Sequence, residues 1–184
     1  MRKTRPDGPH AGLDEGWLPG ARQVASPNCD ERPAGAAVSL LVLHAISLPP
    51  GEYGGDAIER LFTNRLDPRA HPYFREIQGL KVSSHFLIRR DGELVQFVPL
   101  HMRAWHAGAS SWRGRGRCND FSVGVELEGA EEDSFTPAQY QTLESLIKQL
   151  RLRDIAAHSD VAPGRKTDPG AAFAWRALLV SLSR

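Results

Sequence analysis

The apolar and polar positions along the chain resolve into alternating strand-like and helix-like stretches. Val38-Ser39-Leu40-Leu41-Val42-Leu43-His44 is a nearly unbroken apolar run, the pattern of a central strand buried on both faces. Ser84 to Arg90 and Glu93 to Val98 flank Asp91-Gly92, a strong short hairpin signal. Phe121 to Glu128 alternates, with Val123, Val125 and Leu127 on one face and Gly124, Glu126 and Glu128 on the other. Next, Thr136 suits an N-cap, Pro137 the first helical position and Gln139 a capping box, ahead of the apolar stripe Tyr140, Leu143, Leu146, Ile147 and Leu150. Ala57 to Thr63 predicts a short helix, Ile155 to Ala157 a short strand and Ala172 to Leu182 a closing helix, while Ala25 to Ala37 reads as a loop. Strands and helices intermix and one strand pair is antiparallel. The expected class is therefore α/β (α+β), a single domain with a mixed central β-sheet flanked by helices. Residues 1–12, rich in charge, Pro and Gly, read as a flexible extension, and 13–184 as the domain.

Composition narrows the partners. With 23 basic and 22 acidic side chains among 184 residues, the chain lacks the basic excess of a nucleic-acid or membrane-surface binder. Its two cysteines, Cys29 and Cys118, stand far apart and read as free thiols of a reducing compartment. The positively charged start leads into no apolar stretch, and no run is long enough to span a bilayer, so the expectation is a cytoplasmic protein.

The histidines are the first candidates for chemistry, because imidazole serves both as metal ligand and as acid or base. His44 ends the apolar run; His158 follows a short apolar strand and opens a Pro- and Gly-stiffened loop that carries Lys166 and Asp168. Two histidines and one carboxylate make a three-ligand zinc set with a position left open. Spacing alone does not single that set out, since the chain has no His-Glu-x-x-His helix and no paired Cys motif. Glu126 has two readings: a carboxylate facing water from an edge strand, or a functional group held among Val and Leu neighbours. His71 in an Ala-His-Pro-Tyr turn reads as structural, His85 as a hydrogen-bonded core histidine, and His10 and His101 as loop residues without a metal role. Trp17 and Trp175 read as packing residues.

The strings VLHAISLPPGEYGG, LDPRAHPYF, VSSHFLIRRDGELVQFVP, RAWHAGAS, RCNDFSVGVELEG, FTPAQY and APGRKTDPG, taken together, resemble the AmpD-type amidases, a zinc amidase group shared with T7 lysozyme and the peptidoglycan recognition proteins. The resemblance runs from about Leu13 to the C-terminus. It implies zinc-dependent hydrolysis of the amide between 1,6-anhydro-N-acetylmuramic acid and L-alanine in muropeptides, in cytoplasmic cell-wall recycling, by a monomer. Matched position by position, it implies His44, His158 and Asp168 as zinc ligands, Glu126 as general base and Lys166 as the cation that stabilises the oxyanion. It further implies Arg117 and Lys81 as contacts to the anionic peptide, and Trp105 and His106 as groove wall. The chain departs from the pattern at Lys81, where the group usually has arginine and its bidentate fork. It departs also at Ala45, usually Asn, at Ser159, often Cys, and in a shortened segment before His158. A zinc-free muropeptide receptor and an exported amidase are the competing readings.

Overall fold

The computed structural model describes residues 16–183, so the proposed extension over residues 1–12 lies outside the described residues. Among the described residues ten strands are present: β1 Arg22–Gln23, β2 Cys29–Glu31, β3 Leu40–Ile46, β4 Phe86–Ile88, β5 Leu94–Gln96, β6 Met102–Ala104, β7 Ser111–Trp112, β8 Arg115–Gly116, β9 Ser122–Glu128 and β10 Asp154–Ala157. Five α-helices accompany them: α1 Ala57–Phe62, α2 Pro72–Glu76, α3 Pro137–Leu150, α4 His158–Val161 and α5 Trp175–Leu182. Six strands form one sheet in the order β1-β5-β4-β9-β3-β10. Within it β4, β9, β3 and β10 pair in parallel, whereas β4 and β5 pair antiparallel. The mixed sheet expected from the sequence is the one observed.

Register then decides what each face carries. Leu41, Leu43, Val123, Val125, Leu127, Phe86 and Ile88 share one face and pack beneath Leu143, Leu146 and Leu150 of α3 and Leu178 of α5. Helix α3 starts where its cap chemistry says it should: Gln139 N donates to Thr136 Oγ1 at 3.1 Å, and Thr136 N donates back to Gln139 Oε1 at 3.0 Å. The same Gln139 amide donates to the carbonyls of Ile88 and Glu128, tying the start of the helix to the ends of β4 and β9. On the opposite face Leu87, Val95 and Phe97 meet Ile58, Leu61 and Phe62 of α1.

Several expected boundaries move. The strand read as 38–44 runs from Leu40 to Ile46, because β9 offers ladder partners through Glu128. The hairpin arms shorten to three residues each, and Gly92 takes φ 90° at the turn. The closing helix begins at Trp175 rather than Ala172; Gly170 and Phe173 first form a turn, and Tyr140 Oη binds the Ala174 amide. The loop read over 25–37 contains β2, which pairs with β6, a three-residue ladder too short to leave a periodic signal. The edge-strand reading of Glu126 is overturned: β9 lies between β4 and β3, and all seven of its residues are buried.

Candidate metal centre

The parallel strands β3, β9 and β10 deliver their C-terminal ends to one side of the sheet, the position where open α/β sheets usually bind ligands. His44 of β3 is registered with Glu126 of β9, so both side chains leave the same face. His158 lies one residue beyond β10, whose Ala157 is registered with Leu43, and thus falls beside His44. Asp168 reaches the group because its loop is pinned twice. The Asp168 carbonyl accepts from Ser159 N at 3.1 Å, and Thr167 Oγ1 donates to Glu131 Oε1 at 2.7 Å. Gly170 lets this loop close up, since a Cβ there would stand 2.5 Å from Glu131 Cβ and φ is 87°.

The result is a near-equilateral triangle of ligand atoms. His44 Nδ1 lies 2.9 Å from His158 Nδ1, and each lies 3.1 Å from Asp168 Oδ2. All three residues are buried. The outer nitrogens already face protein groups, His44 Nε2 at 3.0 Å from His106 Nδ1 and His158 Nε2 at 3.4 Å from the Ala107 carbonyl. With the ring protons on those outer nitrogens, three lone pairs converge at hydrogen-bond distance with no proton between them. A cation resolves that conflict, and the donor set, two imidazoles and one carboxylate, fits zinc. Among the described residues this is the one cluster of the kind. Burial lowers the His44 pKa to about 4, keeping its ring neutral as a metal ligand must be. Burial alone would raise the Asp168 carboxyl, but its close contacts with the His158 and His44 rings outweigh burial and hold the group below the usual carboxylate range.

Glu126 is 8% exposed, and its carboxyl has no hydrogen-bond partner among the described residues. Burial, with the Asp168 charge adding to it, pushes its pKa well above the ordinary value, while Lys166 pulls the other way. His44, His158, Asp168, Glu126, Lys166 and Trp105 all line one cleft of about 680 Å³. The Trp105 ring is held in place by its indole N–H, which donates to Asp30 Oδ1 at 3.1 Å. His106 lines the cleft too, but both of its ring nitrogens have protein partners, His44 and Ser122 Oγ.

Arg117 and Lys81 are not gathered there. Arg117 sits in a left-handed conformation (φ 62°) with its side chain 75% exposed and 3.4 Å from Asp120. Lys81 borders a separate cavity of about 110 Å³ that shares Leu61, Ile77 and Leu80 with the main cleft. His71 caps α2, accepting from Tyr73 N at 3.2 Å, and His85 is buried and accepts from Gly124 N at 3.0 Å, each in a structural place. Sequence reasoning missed Glu131 and Glu132 at the cleft wall, and Arg165, whose Nη2 donates to the Ala107 carbonyl at 2.7 Å. No local pattern marks any of them.

Known proteins resemble this chain in sequence and in fold. The N-acetylmuramoyl-L-alanine amidase family profile matches residues 34–171. The 1,6-anhydro-N-acetylmuramyl-L-alanine amidase AmpD of Escherichia coli K12 is 53% identical over 178 residues, covering 94% of this chain and 97% of that one. A crystal structure of a selenomethionine AmpD derivative superposes with a TM-score of 0.89 at 54% identity, over 92% of this chain and 98% of that one. The E. coli amidase AmiD, solved with the substrate anhydro-N-acetylmuramic acid-L-Ala-D-gamma-Glu-L-Lys, matches at 30% identity with a TM-score of 0.56, over 84% of this chain and 65% of that one. On this evidence the chain belongs to the N-acetylmuramoyl-L-alanine amidase family and is similar to its AmpD-type members.

Proposed function

We propose that this enzyme hydrolyses the amide between 1,6-anhydro-N-acetylmuramic acid and L-alanine in muropeptides, with zinc held by His44, His158 and Asp168, in cytoplasmic cell-wall recycling. The observation that carries the reading is the convergence of two Nδ1 atoms and one carboxylate oxygen at 2.9–3.1 Å, one strand away from an unpaired buried glutamate. Named AmpD relatives at high identity support the anhydro-sugar substrate. No helix among the described residues is long and apolar enough to cross a membrane. The 13–184 span would act as one catalytic unit and as a monomer.

Zinc bound here would supply the Lewis acidity that polarises the scissile carbonyl and makes water a nucleophile at neutral pH. The remaining steps fall to the chain. Glu126, lacking a hydrogen-bond partner and raised in pKa by burial, takes the proton from attacking water and returns it to the leaving L-alanine amine. Lys166, on the cleft wall two residues before Asp168, offers positive charge to the oxyanion. Trp105 presents a fixed ring against which a sugar can lie. His106 completes the wall beside it. Arg117 and Lys81, outside the cleft lining, would meet the outer, anionic part of the peptide.

Mass spectrometry of a purified anhydro-muropeptide before and after incubation tests the reading. The expected outcome is release of free peptide, abolished by a chelator and restored by added zinc. Intact muropeptide with zinc present would end it, and tight binding without cleavage would favour the receptor.

A further inference from the structure

The segment Trp105–Ala107 meets both candidate imidazole ligands on their Nε2 atoms, the nitrogens outside the triangle formed with Asp168. We propose that His106 is a positioning residue of the centre: its Nδ1 accepts the His44 Nε2 proton and so fixes the His44 tautomer that presents Nδ1 to zinc. The inference rests on the zinc reading above.

Four observations carry it. The His44 and His106 rings meet edge to face, at 86° and 5.1 Å between centroids, with Nε2 and Nδ1 3.0 Å apart. The other His106 nitrogen lies 3.1 Å from Ser122 Oγ, so a proton on His106 Nε2 leaves Nδ1 free to accept. The ring fills space that only glycine leaves: a Cβ on Gly124 would stand 2.5 Å from His106 Cγ. A glycine in the middle of a buried strand forgoes side-chain packing, and here it opens the room next to His44. Finally, the segment itself is clamped, because Asn119 Oδ1 accepts from His106 N at 3.3 Å and from Ala107 N at 2.8 Å. The Ala107 carbonyl extends the arrangement to His158 Nε2 through a longer contact of 3.4 Å.

Outer partners of this kind hold a ligand's tautomer and orientation, and their loss typically weakens metal binding about 10–100-fold. Zinc dissociation constants, measured by competition with a chromophoric chelator, should therefore rise by that factor for His106→Leu, which fills the space without an acceptor. Gly124→Ala, which displaces the ring, should behave alike. His106→Gln keeps an acceptor oxygen and should stay within a few-fold of wild type. A merely structural role would not produce that split. Nitrogen-15 NMR of the wild-type protein supplies a second readout independent of folding in the variants: His44 should carry its proton on Nε2, with scalar coupling to His106 Nδ1. Wild-type zinc affinity in His106→Leu, or a His44 proton on Nδ1 in the zinc-loaded protein, would overturn the inference. A wild-type protein that binds no zinc would instead sink the reading of the preceding section.

Discussion

Glu126 and Glu128 stand two residues apart on the same face of the same strand, yet their surroundings are opposite. Glu128 is 1% exposed and fully engaged: Arg89 Nη1 lies at 3.2 Å, and the amides of Gly54 and Arg90 donate to its two oxygens at 2.7 and 3.1 Å. Arg89 in turn pairs with Glu59 at 2.5 Å, so the charge of Glu128 is matched within a network. Glu126 lacks such partners and opens onto the cleft beside His44. A buried carboxylate matched by protein donors holds structure together; one without them, at the wall of a cleft, retains a raised proton affinity and can do chemistry. What separates them is the placement of neighbouring strands and loops, which brings an arginine and two amides to one and the His44, His158 and Asp168 cluster to the other.

That contrast can be pressed experimentally. Asp168→Ala should have the largest effect, leaving two protein ligands; zinc content by atomic absorption and turnover should both collapse. Glu126→Gln should keep stoichiometric zinc and lose turnover by about two to four orders of magnitude. Its effect on stability has the opposite sign. The folded-state pKa of Glu126 is raised, so its contribution to stability is full below the unfolded value near 4.5 and is lost as pH rises through the folded value. At neutral pH the metal-free wild type therefore carries a penalty that Gln removes, and the metal-free variant should melt at a higher temperature in calorimetry. A lower Tm would break the assignment of a buried carboxylate without protein donors.

Lys166→Met should lower kcat by about 10²–10³-fold, the scale of a lost oxyanion donor. Because the Lys166 charge lowers the Glu126 pKa, its removal should also move the acid limb of the pH–rate profile to higher pH. Glu128→Gln should touch activity least. Breaking a buried pair costs about 3 kcal/mol at the low end, which fits here since Arg89 keeps Glu59. At roughly 2–4 °C per kcal/mol for a chain of this size, thermal denaturation should shift down by about 6–12 °C while kcat/KM below the transition stays near wild type. A Glu128 variant that folded normally but failed to turn over would erase the distinction between the two glutamates.

Much of the fold was legible locally. The Thr136–Gln139 box, the Asp91-Gly92 turn and the apolar run into His44 each act through neighbours within a few residues, and each element formed where those signals lie. Ends were less legible: β3 gains Ala45 and Ile46 from its β9 partner, and α5 loses its first turn to the Gly170 bend. The candidate site divides the same way. The motif resemblance named His44, His158, Asp168, Glu126 and Lys166, and the structure places all five in one cleft. The resemblance named Arg117 and Lys81 separately, as contacts to the anionic peptide, and these two stand outside the cleft lining.

By itself the sequence determined the mixed α/β class, the caps and turns and the residue types able to bind a metal, because side-chain chemistry and short-range backbone preference are written residue by residue. Only the tertiary structure decided that Glu126 is central and unpaired rather than at an edge. It also brought His106 into the void above Gly124 against His44, 62 positions away in the chain. Contacts of that separation depend on strand order and register, and no single segment encodes either one.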